Sequence, residues 1–272
     1  MEIAVFVRRA KDMGLIENPE DSRFYNALDK KILDIIRDQG FDRLYFGSES
    51  CENCMPNADS VRRAEEVAST SGMAFTLVTP VCTEYGIDYL ADNIIPHIDR
   101  AGVEVTSNDF GVFYMLSQMA FKGDIVMGRL LAKSKKWPLG DIPKEFREPL
   151  SHSPFGLVEY QRYLQESGVS LVELDNRVEG YDSNLDNLPF KIGIHLPFVY
   201  LTSGRMCFLS GQEKPNEKRF GIVNGCKRYC DSQIVRLNGQ FYSNGRAVYG
   251  VNNSVESIEK HRIDRLIISP KL

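Results

Sequence analysis

Six cysteines are the side chains of this chain best equipped for chemistry: Cys51, Cys54, Cys82, Cys207, Cys226 and Cys230. Cys226 and Cys230 form a C-x3-C pair in GCKRYC (225–230), and Cys207 lies upstream in TSGRMC. A C-x3-C pair on an irregular loop can turn both sulfurs toward one ion, and Cys207 offers a third donor. Lys227 and Arg228 favour the thiolate, the form that ligates metal. A fourth donor has to come from elsewhere; Cys51, at the end of YFGSESC (45–51), follows an apolar run and is placed to meet a later loop. Four thiolates suit an iron–sulfur cluster and also structural zinc. Spacing alone does not choose between them. Three unrelated core thiols is the plain alternative. Cys51-x2-Cys54 also has the spacing of a dithiol redox pair, but that motif expects a helix N-terminus, and CENCMPNADS gives none before Pro56. Cys54 then reads as a spare thiol beside the site, and Cys82 as a small buried residue.

Charged residues supply a second set of candidates. VELDN (172–176) puts Glu173 and Asp175 two apart, on one face of a strand. Arg129 and Arg205 are the cations that would share their charge. Acid–base work or substrate anchoring is one reading, a structural ion pair the other. Arg205 sits in the cysteine-bearing segment, where it would bind an anionic group or balance the charge of bound thiolates. Asn108 and Asp109 read as helix-cap residues. His195, in GIHLPFVY, reads as a satisfied core histidine, and His97, His152 and His261 are scattered. No Ser, His and Asp stand in a context for serine-hydrolase chemistry, and no H-E-x-x-H motif occurs.

The elements that must position these groups follow from apolar spacing. Strands are expected at 3–7, 42–47, 73–80, 103–107, 124–131, 169–176 and 264–270. Helical patterns lie between them at 24–38, 58–72, 84–102 (bent or ended near Pro96), 108–119, 156–168 and 254–261. Alternating strands and helices imply a parallel sheet, and about eight strands fit a TIM-like (β/α) barrel in one domain over 1–272. An open doubly wound sheet is the alternative; no glycine-rich dinucleotide fingerprint follows any strand. Two stretches break the pattern. Residues 132–155 are Pro-rich and charged, hold Trp137, and read as an inserted loop or lid. Residues 203–252 carry three of the thiols and alternating stretches with NG turns, which predict a small β-ribbon.

The 272 residues carry a formal net charge of −4, so there is no basic footprint for nucleic acid. No apolar run is long enough to span a bilayer, and MEIAVFVRRAKD lacks the order of a signal peptide. A cytoplasmic, reducing setting is expected, where clustered cysteines point to metal or redox chemistry.

Together YFGSESC, SNDFGVFYML, VELDN, HLPFVYLTSGRMC and RLIISP resemble the collagenase-like peptidase family, number thirty-two of the peptidases of unknown mechanism. The likeness runs from about residue 40 to the C-terminus, and the branch most similar is the short iron–sulfur one of anaerobic ubiquinone biosynthesis. The resemblance implies a TIM-like barrel and a [4Fe-4S] cluster on Cys51, Cys207, Cys226 and Cys230. Here Met206 separates Arg205 from Cys207, residues that can stand adjacent in the family. It also implies oxygen-independent hydroxylation of a small aromatic or related substrate. Peptidase action on denatured protein, or service as the non-catalytic iron–sulfur subunit of a two-chain complex with a partner of the same family, are the other functions it allows. At the fifth strand the branch has a stretch with His and Asn; this chain reads GDIVMGRLLAKSKKWP, without histidine, so its substrate does not carry over.

Overall fold

Short runs of apolar residues that are buried on both faces build the centre of the protein. The computed structural model describes residues 1–132, 143, 145–146, 152–178, 180–181, 185–204, 206–212, 214–218, 226–256 and 258–272. Eight parallel strands close into a barrel: β1 (Glu2–Val7), β2 (Arg43–Gly47), β3 (Ala74–Thr79), β4 (Val103–Ser107), β5 (Asp124–Met127), β6 (Val169–Asp175), β7 (Lys191–Leu196) and β12 (Arg265–Ile268). Each lies beside its sequence neighbour, and β12 closes the ring between β7 and β1. The expected TIM-like barrel is what the chain forms.

Residue alternation gives each strand two buried faces. Outward-pointing Ile3, Val5, Leu44, Leu77, Val105, Met127, Ile194 and Leu266 join the large core shared with the surrounding helices. The barrel lumen has only a small apolar cluster of its own: Ala4, Phe6, Tyr45, Val78 and Ile267. The rest of the lumen is polar. Near the N-terminal ends of the strands Arg265 binds both Glu104 oxygens (2.7 and 3.0 Å) and the Tyr45 hydroxyl (2.6 Å). Thr76 donates to Glu104 at 2.9 Å. These charges are buried but mutually satisfied, the condition under which a buried ion is tolerated.

The helices form where the spacing predicts, with boundaries set by caps. Helix α1 (Lys30–Gln39) starts later than the pattern from 24 suggests, because Asp29 caps it and residues Tyr25–Ala27 form a separate 3-10 turn. Asn57 caps α2 (Ala58–Thr70) through the Ser60 amide. The stretch around Pro96 breaks as expected into α3 (Glu84–Asn93) and α4 (Ile95–Ile98). Asp109 caps α5 (Phe110–Gln118), accepting from Gly111 N at 2.7 Å and Val112 N at 3.4 Å. Helix α6 (Val158–Glu166) follows. The predicted helical stretch from 254 to 261 holds only a 3-10 turn at Ile258–Lys260 among the described residues.

After β7 the chain does not turn into a helix. A cis Leu196–Pro197 bond leads straight into β8 (Phe198–Ser203). With β9 (Val235–Leu237), β10 (Phe241–Asn244) and β11 (Ala247–Val251), β8 makes an antiparallel four-stranded sheet in the order β8-β11-β10-β9. The expected ribbon is therefore part of a larger sheet. Phe198, Ala247 and Tyr249 of this sheet pack with Phe24 and the C-terminal Leu272 as a core separate from the barrel's. Most of the lid expected at 132–155, Trp137 included, lies outside the described residues, as does Arg205.

Asp109 offers a clean check on local architecture. Asp109→Ala should cost about 1 kcal/mol, the usual loss for a helix N-cap, read as a lowered midpoint in urea unfolding with an unchanged slope.

Candidate functional site

In a parallel barrel the loops after the strands gather at one end. Arg8 and Arg9 follow β1, Glu49 and Cys51 follow β2, Asn108 follows β4, Arg129 follows β5, and Asp175 ends β6. Two constellations meet at this end, one of ions and one of thiols.

The ionic one centres on Arg129, whose side chain is fully buried. Its guanidinium forks onto both Glu49 oxygens, Nε to Oε1 at 2.7 Å and Nη2 to Oε2 at 2.8 Å. Nη1 donates to Asp175 Oδ1 at 3.0 Å and to the Phe198 carbonyl at 2.5 Å. Arg8 adds a second cation to Glu49 at 2.9 Å and reaches the Tyr249 hydroxyl at 3.2 Å. The Tyr200 amide donates to Asp175 at 2.6 Å. Burial would raise the Glu49 carboxyl, but the charge and hydrogen bonds of Arg129, with help from Arg8, hold it at about 2. One layer deeper, Glu173 accepts from Thr106 at 2.9 Å and pairs with His195 Nε2 at 2.9 Å. His195 Nδ1 is buried with no hydrogen-bond partner.

The expected catalytic residues Glu173, Asp175 and Arg129 are thus brought together, but beneath the β8–β11 sheet. None of them lines any of the three cavities described below. Together they form a network of buried ion pairs with Glu49 and His195. Arg205 lies outside the described residues.

The thiols form the second constellation. Cys51 precedes a 3-10 turn, Glu52–Cys54, that brings Cys54 back toward it. Cys54 Sγ lies 3.5 Å from Cys230 Sγ. Cys207 and Cys230 are buried in one small cluster with Leu209, against which Cys54 and Cys226 pack. Five of the six cysteines therefore converge, from two parts of the chain far apart in sequence. Cys54, read from sequence as a spare thiol, is in direct contact with two of the others. Its hydrogen bonds lower the Cys51 thiol to about 6 and lower that of Cys230, while Cys54 itself is raised. Cys226 Sγ accepts from the Arg228 amide at 3.3 Å, and Arg228 takes the left-handed conformation (φ 54°) to turn the loop inward. Cys82 stands apart; burial pushes its thiol up to about 12.

Arg9 fixes the thiol loop to the barrel. It donates to the carbonyls of Cys230 (2.5 Å), Asp231 (2.8 Å) and Leu272 (3.3 Å). Gly245, at the tip of the β10–β11 hairpin with φ 61°, lies beside Cys230; a Cβ there would sit 3.8 Å from the sulfur. Its neighbour Arg246 lowers the Cys51 thiol further through its charge. A small cavity of about 20 Å³ runs between Arg8, Cys51, Cys54, Cys230 and Asn244. Asn244 Nδ2 is buried there without an acceptor. A cavity of about 470 Å³ adjoins Cys54 and is walled by Tyr85, Tyr89 and the cations Arg8, Arg9, Lys11 and Arg228. Another of about 400 Å³ adjoins Cys207.

The donor set fits a group held by thiolates. It is all sulfur, flanked by Arg9, Arg228 and Arg246, with a buried amide donor that has no acceptor of its own. Cys54 and Cys230 stand at hydrogen-bonding distance, and among the described residues no three His, Cys, Asp or Glu side chains are spaced around a common ion position. Sequence reasoning missed Glu49, Cys54's direct contact, Asn244 and Arg246. Glu49 had a signal, since it stands in the same post-strand segment as Cys51; the other two depend on a hairpin tip that only the fold locates.

No family model matches this chain, and no curated protein matches it in sequence. Among solved structures, a dihydropteroate synthase from Xanthomonas albilineans in complex with 7,8-dihydropteroate is 13% identical, over 72% of this chain and 71% of its own, with a TM-score of 0.35. A GH10 endoxylanase from a sugarcane soil metagenome is 10% identical, over 75% and 69%, with a TM-score of 0.38. Likeness at this level carries no functional argument; the barrel is established by its own strand order. Among the described residues no helix is long and apolar enough to cross a membrane.

Two outcomes test the ionic constellation. Arg129→Met should cost about 3–5 kcal/mol in chemical unfolding, because two buried carboxylates lose their counter-ion. Glu49 has a folded value below its ordinary 4.5, so it stabilises the fold fully above that pH. Its contribution should fade as the pH falls from about 4.5 toward 2, and a pH series of urea midpoints should fall more steeply over that range in wild type than in Glu49→Gln.

Proposed function

We propose that this chain is an iron–sulfur protein whose thiol site lies at the rim of the barrel, and that it hydroxylates a small aromatic or related substrate without oxygen. One observation carries the reading: Cys51, Cys54, Cys207, Cys226 and Cys230 gather in one place where no disulfide joins them. Cysteine thiolates are the usual ligands of such clusters. The chain supplies one thiol more than a four-cysteine cluster needs. Cys207, Cys226 and Cys230 would hold it together with Cys51 or Cys54. When bound, the cluster supplies the electron-transfer chemistry; the protein contributes position, charge and exclusion of water. Arg9 holds the loop that bears Cys230, Arg246 and Arg228 offset thiolate charge, and Asn244 has a free amide hydrogen for a sulfur acceptor.

Zinc is the second reading, and one distance favours it. The Cys54–Cys230 separation of 3.5 Å is close to the edge of a ZnS₄ tetrahedron, about 3.8 Å for Zn–S bonds of about 2.3 Å. Thiolates that each bind a different iron stand farther apart, so cluster loading would spread this pair.

Protein prepared and kept under nitrogen should be brown, with about four irons and four sulfides per chain. Cys226→Ala and Cys230→Ala should each lose most of the iron while retaining the fold by circular dichroism. Comparing Cys51→Ala with Cys54→Ala identifies the fourth ligand: one should bleach and the other keep its colour. A colourless sample with one zinc per chain would replace the iron reading with the zinc one.

A further inference from the structure

The β10–β11 hairpin is tight: Asn244 pairs with Ala247, leaving Gly245 and Arg246 as its tip. Gly245 supplies the positive φ that such a two-residue turn requires. The turn carries Arg246 to a place where its charge is poorly matched. Its side chain is 12% exposed, and the nearest acid atom, Glu52 Oε1, is 3.9 Å away. Glu52 is already committed, its other oxygen accepting from the amide and hydroxyl of Thr83, both at 2.8 Å. Arg246 Nε is buried with no hydrogen-bond partner. A nearly buried guanidinium whose one carboxylate partner stands 3.9 Å away, beyond hydrogen-bonding distance, has capacity for a further anion.

What adjoins Arg246 is the cavity of about 400 Å³, within the range of about 300–1,000 Å³ that small-ligand sites occupy. Its other walls include Met206, Phe208, Leu237 and Val248, and Cys207 of the thiol site. Met206 and Phe208 are 45% and 53% exposed, apolar surface left open at the cavity. In the larger cavity beside Cys54, Arg8, Arg9, Lys11 and Arg228 each have a carboxylate or carbonyl at hydrogen-bonding distance, whereas the carboxylate nearest Arg246 is 3.9 Å away.

We infer that the cavity between the hairpin and Cys207 binds an amphipathic carboxylate, with its anion on Arg246 and its aryl or alkyl body against Phe208, Met206, Leu237 and Val248. Apolar walls supply affinity and the one cation supplies orientation, directing the occupant's carboxylate to the hairpin side. That this occupant is the substrate of the thiol site rests on the iron–sulfur reading; that it binds does not.

The test uses the full chain, purified under nitrogen, titrated calorimetrically with 3-phenylpropionate and with the uncharged 3-phenylpropionamide. The carboxylate should bind at least tenfold more tightly than the amide. Arg246→Met should bring the carboxylate down to the amide's affinity and leave the amide unchanged, and Arg246→Lys should keep part of the preference. Phe208→Glu, at a position exposed enough to tolerate it, should weaken both. Equal binding of the two probes, no binding of either, or full preference surviving in Arg246→Met overturns the proposal. So does an Arg246→Met protein that loses metal yet keeps the preference, which would make Arg246 a counter-ion of the thiols alone. A wild-type protein without iron that still prefers the carboxylate sustains this site and removes the iron–sulfur reading.

Discussion

Arg129 is the interaction on which the upper half of the molecule depends. One guanidinium holds a carboxylate from the segment after β2, another from the end of β6 and a carbonyl of the first residue of β8. Its fork geometry lets one side chain meet three separate elements at fixed angles, which lysine cannot do. The barrel rim and the antiparallel sheet are therefore tied through the same fully buried cation. Arg8 repeats the pattern on a smaller scale, between Glu49 and Tyr249.

That clamp has a cost in access. In a parallel barrel the strand ends usually surround an open mouth. Here Phe198, Tyr200 and Tyr249 of the second sheet sit over the mouth, bonded to the very carboxylates and arginines that line it. The thiols gather to one side, at the rim between the β2 segment and the hairpin tip. The 3-10 turn at Glu52–Cys54, the left-handed Arg228 and the positive φ of Gly245 are the local devices that turn sulfur and backbone toward that point.

Much of this was legible beforehand, and the rest was hidden for physical reasons. Period-two and helical spacing located seven barrel strands and most helices, since burial on two faces or one stripe writes itself into the sequence. The seventh strand, Lys191–Leu196, was missed as an element because KIGIHL runs without a break into LPFVYL, and only the fold divides that run between two sheets. Grouping Glu173 and Asp175 with Arg129 was readable from strand register, whereas their depth under the sheet was not, because no residue type marks a covered mouth. Cys207, Cys226 and Cys230 could be grouped by proximity in sequence. The contact of Cys54 with Cys230 joins residues 176 positions apart, and no spacing rule reaches that far.

That same separation has a consequence during synthesis. At about 5–20 residues per second, Cys51 and Cys54 leave the ribosome roughly 10–35 s before the thiols they meet in the folded protein. The barrel cannot close until β12, the last of its strands, has been made. Through that interval the early pair is a dithiol on a nascent chain, without the later thiols that enclose it in the folded protein.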